Sequence, residues 1–221
     1  MPIQALLFDL DGTLLDREMS LVRFIADQHL RLIAPISDCP ADAYQTLFIE
    51  WDQRGLVWKD LVYQQLVAHF QLNVSPEVLL DDYLTGFAKT SVLFPGTIPL
   101  LESLSPSYRL GLITNGRSDL QRSVIETHGL QDFFDPILIS EEVGLSKPNP
   151  TLFLRPVQDW ELKPEHVLFI GDHPLHDVAG AKAVGMPALL KSTTPVDGTL
   201  HDWSQLSTFI TRLNQESRFY R

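Results

Sequence analysis

The sequence Ala5-Leu6-Leu7-Phe8-Asp9-Leu10-Asp11-Gly12-Thr13 lies near the start of the chain, and the interpretation of the other motifs depends on it. Its four apolar residues, followed closely by turn residues, predict a short buried strand. Because side chains alternate along a strand, Asp9 and Asp11 start on the same side of the chain. Two carboxylates this close repel each other and are costly to desolvate, so we expect a hard divalent cation with oxygen ligands beside them. The alternative is an Asp-Gly turn with a second aspartate at the surface.

The composition is typical of a globular protein with an acidic surface. The chain has 221 residues, of which 44% are hydrophobic and 20% charged, and its formal net charge is −11. This length suits one domain, or a core domain with a modest insertion. An acidic surface disfavours a broad nucleic-acid-binding patch. A small anionic substrate would instead need a local positive site, supplied by a metal ion or a placed lysine.

Cysteine content and the N-terminal sequence restrict the class of protein and its expected compartment. Cys39 is the single cysteine, which excludes an intramolecular disulfide and a cysteine-rich zinc site, so we expect an inert thiol. No basic residue precedes Arg17, and no apolar run approaches the length of a membrane span. We therefore predict neither a signal peptide nor a membrane helix, and the cytoplasm is the expected compartment.

Residues 16–90 show helical periodicity and no strand signal. Apolar residues recur at the spacing of amphipathic helices in four segments. Ser75 and Pro76 are the residue types expected at an N-cap and at the first helical position. The predicted helices cover 17–33, 41–53, 57–70 and a fourth segment that starts at Pro76.

From Phe94 onward, apolar strands alternate with helical segments. This order predicts a parallel sheet with helices on both faces, and the first strand belongs to that sheet. The predicted organisation is an α/β core of residues 1–15 and 91–221, with a four-helix domain, residues 16–90, inserted after the first strand. The later predicted strands cover 109–114, 136–140, 166–170 and 188–190, and the predicted helices cover 97–104, 118–129, 150–160, 175–184 and 202–213.

The second predicted core strand ends in Thr114-Asn115-Gly116. Thr114 supplies a hydroxyl, and the turn that follows supplies backbone N–H groups at the start of a helix. Such N–H groups, together with the helix dipole, bind phosphate well. We predict that Thr114, Asn115 and Gly116 contribute to phosphate binding, with an Asn-Gly turn capped by threonine as the alternative.

Lys147 is followed by two prolines in Lys147-Pro148-Asn149-Pro150. The prolines restrict the backbone around the lysine. A rigidly held lysine is a good point charge for phosphate, and the alternative is a solvated surface charge.

The fourth predicted core strand ends in Gly171-Asp172, and Asp177 follows five residues later. We expect Asp172 to supply a further carboxylate to a cation and Asp177 to orient the site from behind the metal ligands or at the helix start. His173 and His176 lie between them in sequence. Three aspartates at strand ends nevertheless suit magnesium better than a transition metal.

These four patterns resemble, in order, the four motifs of the haloacid dehalogenase-like superfamily. The matching segments are Asp9-Leu10-Asp11-Gly12-Thr13 for DxDGT, the apolar strand that ends in Thr114, Lys147-Pro148-Asn149-Pro150 for KPxP, and Gly171-Asp172 with Asp177 for GDxxxxD. The chain departs from the pattern at Asn149, where aspartate is commoner. It also departs at His173, where serine or asparagine is commoner, and this places the local hydrogen bonding in doubt.

The resemblance implies an α/β fold with a Rossmann-like parallel sheet and an all-helical cap domain inserted between the first and second motifs. It also implies a phosphatase in which Asp9 is the nucleophile and Asp11 the general acid and base. Mg²⁺ would be held by Asp9, the Asp11 backbone carbonyl and Asp172. Thr114, the adjacent N–H groups and Lys147 would bind the phosphate oxygens.

Asp11 also distinguishes between reactions within this superfamily. The dehalogenase branch lacks an acid/base aspartate two residues after the nucleophile, so Asp11 favours a phosphatase acting on a small phosphorylated metabolite. A phosphosugar mutase, a phosphonate-cleaving enzyme and a non-catalytic phosphate-ligand-binding protein are the alternatives. The identity of the ester and the oligomeric state are not predicted.

On the same resemblance, the predicted helical domain is a cap that excludes water and selects the substrate. Its expected hinges are Leu15–Arg17 and Lys89–Phe94. In the break between the second and third helices, Arg54 is a candidate contact for an anionic group and Trp58 for a ring. A surface turn with one buried tryptophan is the alternative.

Overall fold

The computed structural model describes residues 2–219, with side chains through residue 215. The chain divides into two compact units. One comprises the N-terminal residues through Asp16 together with the chain from Leu93 onward, and the other comprises Arg17–Val92.

The first unit contains a five-stranded parallel sheet. Its strands form where the sequence is continuously apolar, because side chains on both faces are buried. The strands are β1 (Ala5–Phe8), β2 (Arg109–Thr114), β3 (Ile137–Ile139), β4 (Val167–Gly171) and β5 (Ala188–Leu190). Their order across the sheet is β3-β2-β1-β4-β5, so β1 lies in the centre. The predicted parallel α/β sheet is confirmed.

Both faces of the sheet are packed against other elements. On one face, Leu7 belongs to a buried cluster with Phe153 and Phe169, whose rings lie 5.1 Å apart. The adjacent Phe8 points to the other face, where its ring lies 5.9 Å from Phe134 and 6.3 Å from Trp203. The side chains of β1 therefore stabilise the sheet from both sides.

The helices of the sheet unit follow the predicted segments with one correction and one addition, the short helix α7 (Ser140–Val143), which was not predicted. The sequence predicts one α-helix over 175–184, whereas the structure has a π-helical turn, Pro174–Ala179, and then a short α-helix. The wider winding is seen in the backbone, because the His173 carbonyl oxygen accepts a hydrogen bond from the Val178 N–H, five positions later, at 3.3 Å. The side chain of His173 caps the turn. The helices of this unit are α5 (Thr97–Leu104), α6 (Ser118–Thr127), α7 (Ser140–Val143), α8 (Pro150–Asp159), α9 (Gly180–Ala183) and α10 (Leu206–Phe219).

The second unit is helical. Its α-helices are α1 (Arg17–Gln28), α2 (Ala41–Asp52), α3 (Lys59–Phe70) and α4 (Pro76–Thr90). The helix predicted over 17–33 is corrected, because α1 ends at Gln28 and a π-helical turn, His29–Ile33, follows it. His29 Nε2 lies 2.8 Å from the Cys39 carbonyl oxygen, a contact between residues ten positions apart that holds this turn. Cys39 is buried, and burial raises the pKa of its thiol.

The predicted N-terminal signal of α4 is confirmed. The Ser75 hydroxyl accepts a hydrogen bond from the Val78 backbone N–H, and Pro76 occupies the first helical position. Among the described residues, no helix has both the length and the apolar character needed to cross a membrane.

Candidate active site

The candidate site lies at the carboxyl edge of the parallel sheet. Asp9 directly follows β1, Thr114 ends β2, and Asp172 directly follows β4. Because β1 pairs with both β2 and β4 in parallel, these three positions are brought to one edge. The Asp9 backbone N–H donates to the Ile170 carbonyl oxygen at 2.9 Å, which fixes Asp9 beside the end of β4. Crevices at such edges are the usual ligand sites of open parallel sheets.

Lys147 lies between two buried carboxylates at the centre of the site. Its Nζ is 2.5 Å from Asp9 Oδ1 and 2.6 Å from Asp177 Oδ1. Lys147 and Asp9 are each 5% exposed and Asp177 is 1% exposed, so water does not screen these contacts. The Thr13 hydroxyl donates to the other Asp9 oxygen at 3.1 Å. Lys147 is therefore an internal countercharge for two carboxylates and not a solvated surface lysine.

For Asp9 and Lys147, burial and the attraction between the two groups shift the pKa in opposite directions. Burial raises the pKa of Asp9, and repulsion from Asp177 and Asp172 raises it further, while attraction to Lys147 acts against both. Burial lowers the pKa of Lys147, but attraction to Asp9 and Asp177 outweighs burial and raises it above its usual value. Lys147 therefore remains an ammonium although it is buried.

Three carboxylates in this region fit a cation site. Oxygens of Asp9, Asp172 and Asp177 all lie within 4.8 Å of one another. An all-carboxylate set of hard oxygen donors suits Mg²⁺, since magnesium takes oxygen ligands and usually retains several waters. Asp177, which the sequence placed behind the metal ligands, thus lies in the same cluster. Its second oxygen accepts a hydrogen bond from the His173 backbone N–H at 2.9 Å.

Gly12 makes room for Asp172. Its φ of +78° lies in the left-handed region, and a Cβ atom there would lie 2.4 Å from Asp172 Oδ2. Only glycine allows both this turn and the close approach of the Asp172 carboxylate. The turn after β1 and the carboxylate after β4 therefore constrain each other.

The Asp11 side chain points to a residue that the sequence analysis did not identify. Asp11 Oδ2 accepts a hydrogen bond from Gln121 Nε2 at 2.7 Å. The same nitrogen lies 2.7 Å from the Thr114 hydroxyl, which is fully buried. Asp11 and Thr114, the predicted acid/base group and the predicted phosphate-binding hydroxyl, thus share one hydrogen-bond donor.

Asn115 and Gly116 make protein contacts in this structure. The Asn115 side chain accepts from the Lys147 backbone N–H at 2.8 Å and donates to the Lys147 carbonyl at 3.1 Å, so it fixes the backbone of the lysine. The Gly116 N–H donates to the Ser140 hydroxyl at 3.0 Å. The two residues that follow Thr114 therefore connect β2 to the lysine loop and to α7.

His173 and His176 are stacked, with ring centroids 4.1 Å apart and planes 11° from parallel. His173 Nδ1 accepts hydrogen bonds from the backbone N–H groups of Leu175 and His176 at 3.2 and 3.1 Å. This nitrogen therefore caps the turn of residues 174–179. A hydrogen-bond acceptor is what a serine or asparagine would supply at this position, which explains how histidine can replace them.

Arg54 belongs to the helical unit. It is exposed and left-handed, with φ of 58°, between Gln53 at 47° and Gly55 at 87°. Asp52, immediately before this turn, is 1% exposed and forms ion pairs with Arg17 and Lys59. Trp58 is 60% exposed.

Comparison with known proteins identifies the family. A model of the family described as haloacid dehalogenase-like hydrolase matches residues 6–191, which include all four motifs. The chain belongs to this family. The resemblance inferred from the motifs is confirmed, and the protein is a hydrolase.

Two named relatives are similar to the chain. The chain is 29% identical to the pyrimidine 5′-nucleotidase YjjG of Escherichia coli strain K12 over 188 residues, which is 81% of each protein. It is 40% identical over 90 residues to a phosphoserine phosphatase of Thermus thermophilus, a match that covers 41% of this chain and 36% of that protein.

Two solved structures show the shared fold. The HAD-hydrolase YfnB from Bacillus subtilis matches with a TM-score of 0.76 at 22% identity, over 95% of this chain and 99% of that one. A HAD phosphatase from Thermococcus onnurineus matches with a TM-score of 0.65 at 27% identity, over 94% and 98% of the two chains.

Two residues near the site of this haloacid dehalogenase-like hydrolase were missed from the sequence. Gln121 lies seven positions after Thr114, inside the predicted helix over 118–129 but at a position that no motif marks. Lys191 directly follows β5, and its N–H donates to the Gly171 carbonyl at 2.7 Å, so it stands beside Asp172 at the sheet edge. The rule that selected Asp9, a polar residue immediately after a buried strand, would have selected Lys191.

Lys191 is a second buried cation of the sheet unit, 5% exposed. Its Nζ lies 4.5 Å from the Phe94 ring centroid and 5.4 Å from that of Trp203, and it donates to the His201 carbonyl at 3.2 Å. Burial lowers its pKa, while attraction to carboxylates that include Asp172 opposes this shift. The aromatic rings hold the ammonium by cation–π attraction.

Proposed function

We propose that the protein is a Mg²⁺-dependent phosphatase that hydrolyses a small phosphate monoester through an aspartyl-phosphate on Asp9. The observation that carries the proposal is the Asp9 carboxylate at the end of the central strand, 2.5 Å from the buried Lys147 ammonium and clustered with two further carboxylates. An isolated buried carboxylate would be costly. Here the surrounding groups match a nucleophile, a cation site and a counterion for phosphate.

In the first step, an Asp9 oxygen attacks phosphorus while the bond between phosphorus and the ester oxygen breaks. Asp11, acting as an acid, gives its proton to the departing oxygen. In the second step, Asp11 takes a proton from water as that water attacks phosphorus. The bond between Asp9 and phosphorus then breaks, inorganic phosphate leaves, and both carboxyl groups return to their starting states.

Charge stabilisation in this proposal comes from residues around Asp9. Asp9, Asp172 and the Asp11 backbone carbonyl would hold Mg²⁺, which supplies positive charge that reduces the repulsion between carboxylate and phosphate. Lys147 would neutralise phosphoryl oxygens, and Asn115 holds its backbone in place. Asp177 would keep the Lys147 ammonium directed at Asp9.

The proposed substrate class rests on the chemistry of the site residues and on the names of similar proteins. The names of the Escherichia coli and Thermus thermophilus relatives describe a nucleotidase and a phosphoserine phosphatase, and the Bacillus subtilis structure is of a form bound to magnesium. We therefore expect a phosphorylated small metabolite. Mg²⁺ is the expected cofactor.

We propose further that the helical unit acts as a cap domain and selects the substrate, with Arg54 contacting an anionic group. Arg54→Ala should raise KM for the natural ester while leaving KM unchanged for p-nitrophenyl phosphate, which has no anionic group besides the phosphate itself. An equal effect on the two esters, or no effect on either, would contradict this assignment of Arg54.

The central experiment measures release of inorganic phosphate from p-nitrophenyl phosphate, with Mg²⁺ and with a chelator. Wild type is compared with Asp9→Asn, which keeps the shape of the side chain but removes its nucleophilic charge. Asp159→Asn is the matched control, because Asp159 is an exposed aspartate at the end of α8. We expect turnover only with Mg²⁺, loss of turnover in Asp9→Asn, and full activity in the control.

The intermediate is tested separately. Enzyme quenched in acid during turnover should carry one phosphoryl group on the peptide that contains Asp9, as detected by mass spectrometry. Turnover that persists in Asp9→Asn, or a phosphoryl group on a different residue, would disprove the proposed mechanism.

A further inference from the structure

The amide nitrogen of Gln121 is the one group that contacts both Asp11 and Thr114 in the hydrogen bonds described above. Gln121 is 3% exposed and is the fourth residue of α6. Its Nε2 is 2.7 Å from Asp11 Oδ2, 2.7 Å from Thr114 Oγ1 and 3.3 Å from the Asn115 carbonyl oxygen. Asp11 is 110 positions away in the sequence.

The chemistry of an amide nitrogen restricts the roles of its partners. An NH₂ group has two hydrogens to donate and accepts none. Asp11 Oδ2 and Thr114 Oγ1 are therefore both acceptors in these two bonds. The Thr114 hydroxyl keeps its own hydrogen, which in this structure lies towards the Asn115 carbonyl oxygen at 3.5 Å and can turn to a different acceptor. A proton carried by Asp11 belongs on Oδ1, the oxygen that does not face the amide.

We propose that Gln121 is a positioning residue for phosphoryl transfer, which couples the orientation of the acid/base carboxylate to that of the phosphate-binding hydroxyl. The inference rests on the proposed phosphatase function. With Oδ2 held by the amide, Asp11 presents Oδ1 to the leaving-group oxygen and later to the attacking water. With its oxygen held as an acceptor, Thr114 directs its O–H at a phosphoryl oxygen.

The surrounding backbone restricts the position of the Gln121 side chain. Gly116 has φ of +149°, and a Cβ atom there would lie 3.2 Å from three atoms of the Gln121 side chain. A side chain at position 116 would therefore crowd Gln121. The start of α6 is fixed as well, because the Ser118 backbone N–H and hydroxyl each donate to Glu141 Oε2 at 2.7 Å.

The test uses Gln121→Met, which keeps the length of the side chain and removes both donors. Gln158→Met is the matched control, because Gln158 is an exposed glutamine in α8. Each protein is assayed with Mg²⁺ on p-nitrophenyl phosphate and on phenyl phosphate. The two esters are similar in size, but the phenolate leaving group needs protonation far more, since phenols such as tyrosine have a pKa of about 10.

If Gln121 positions Asp11, the loss of kcat/KM in Gln121→Met should be about tenfold or more greater for phenyl phosphate than for p-nitrophenyl phosphate. If it also orients Thr114, the dissociation constant of inorganic phosphate, measured by calorimetry with Mg²⁺, should rise about three- to tenfold. The Gln158→Met control should match wild type in both measurements.

A purely structural role for Gln121 predicts a different result, namely the same fractional loss on both esters together with a lower melting temperature. That result, or a variant identical to wild type, would overturn the inference and leave the proposed function intact. A wild-type protein that hydrolyses neither ester with Mg²⁺ would overturn the proposed function and, with it, the inference. The two failures are therefore distinguishable.

Discussion

Replacing Lys147 by methionine tests whether the buried ammonium compensates the carboxylates at the site. The substitution preserves length and removes the charge that lies 2.5 Å from Asp9 and 2.6 Å from Asp177. Removing one partner from a buried ion pair costs about 3–5 kcal/mol, because the other charge stays buried without compensation. We expect Lys147→Met to lose this much free energy of unfolding at pH 7 in the presence of a chelator.

A second estimate of this loss in free energy of unfolding, from the protonation of Asp9, gives a similar magnitude. Burial already raises the pKa of Asp9, so Asp9 is the carboxyl group expected to take up a proton when Lys147 is absent. Neutralising a carboxyl group of ordinary pKa 3.9 at pH 7 costs about 1.36 × 3.1, or about 4 kcal/mol. At pH 5 the same step costs about 1.5 kcal/mol. In the variant, the folded state binds more protons than the unfolded state, so the deficit should shrink as the pH falls from 7 to 5.

The assay is urea unfolding of wild type and variant at both pH values, with chelator and then with Mg²⁺. Arg122→Met is the matched control: Arg122 pairs with Glu142 at 2.6 Å, but the two side chains are 41% and 34% exposed. Such an exposed pair contributes about 0–1 kcal/mol. Mg²⁺ should recover part of the Lys147→Met deficit, because a cation among the same carboxylates replaces the missing charge. A Lys147→Met deficit no larger than that of the control would refute the reasoning.

Two other substitutions test local geometry. Gly12→Ala places a Cβ 2.4 Å from Asp172 Oδ2 and should weaken Mg²⁺ binding, measured by calorimetry, by about tenfold or more. Gly129→Ala, also left-handed but with nothing within 4 Å, should leave that binding unchanged, and equal Mg²⁺ affinity in the two variants would count against the steric argument. His173→Ala removes the acceptor for two backbone N–H groups and should cost about 1 kcal/mol in urea unfolding, most of which His173→Asn should retain. Equal stabilities of the two His173 variants would show that the cap does not contribute.

The boundaries of the strands and helices show where local sequence patterns were sufficient to predict the structure and where they were not. β2 covers Arg109–Thr114 as predicted, because a continuous apolar run that ends in turn residues has few other solutions. The predicted α-helices over 17–33 and 175–184 each contain a π-helical turn. Over a single turn, α- and π-helical spacings of apolar residues are nearly indistinguishable. The difference was set by tertiary and capping contacts, such as that between His29 and the Cys39 carbonyl.

The sequence by itself determined the parallel α/β sheet and the positions of Asp9, Thr114 and Asp172 at one edge of it. Both follow from local rules, since apolar runs form buried strands and the ends of parallel strands meet at the same edge. The family resemblance added the roles expected of these residues.

Only the tertiary structure decided which side chains contact one another at that edge. Lys147 pairs with Asp9 across 138 positions of sequence, and Gln121 donates to Asp11 across 110. The structure also places Asp177 in the same carboxylate cluster as Asp9 and Asp172. Contacts of this kind depend on how loops and helices pack after the sheet forms, and no periodicity or spacing along the chain encodes them.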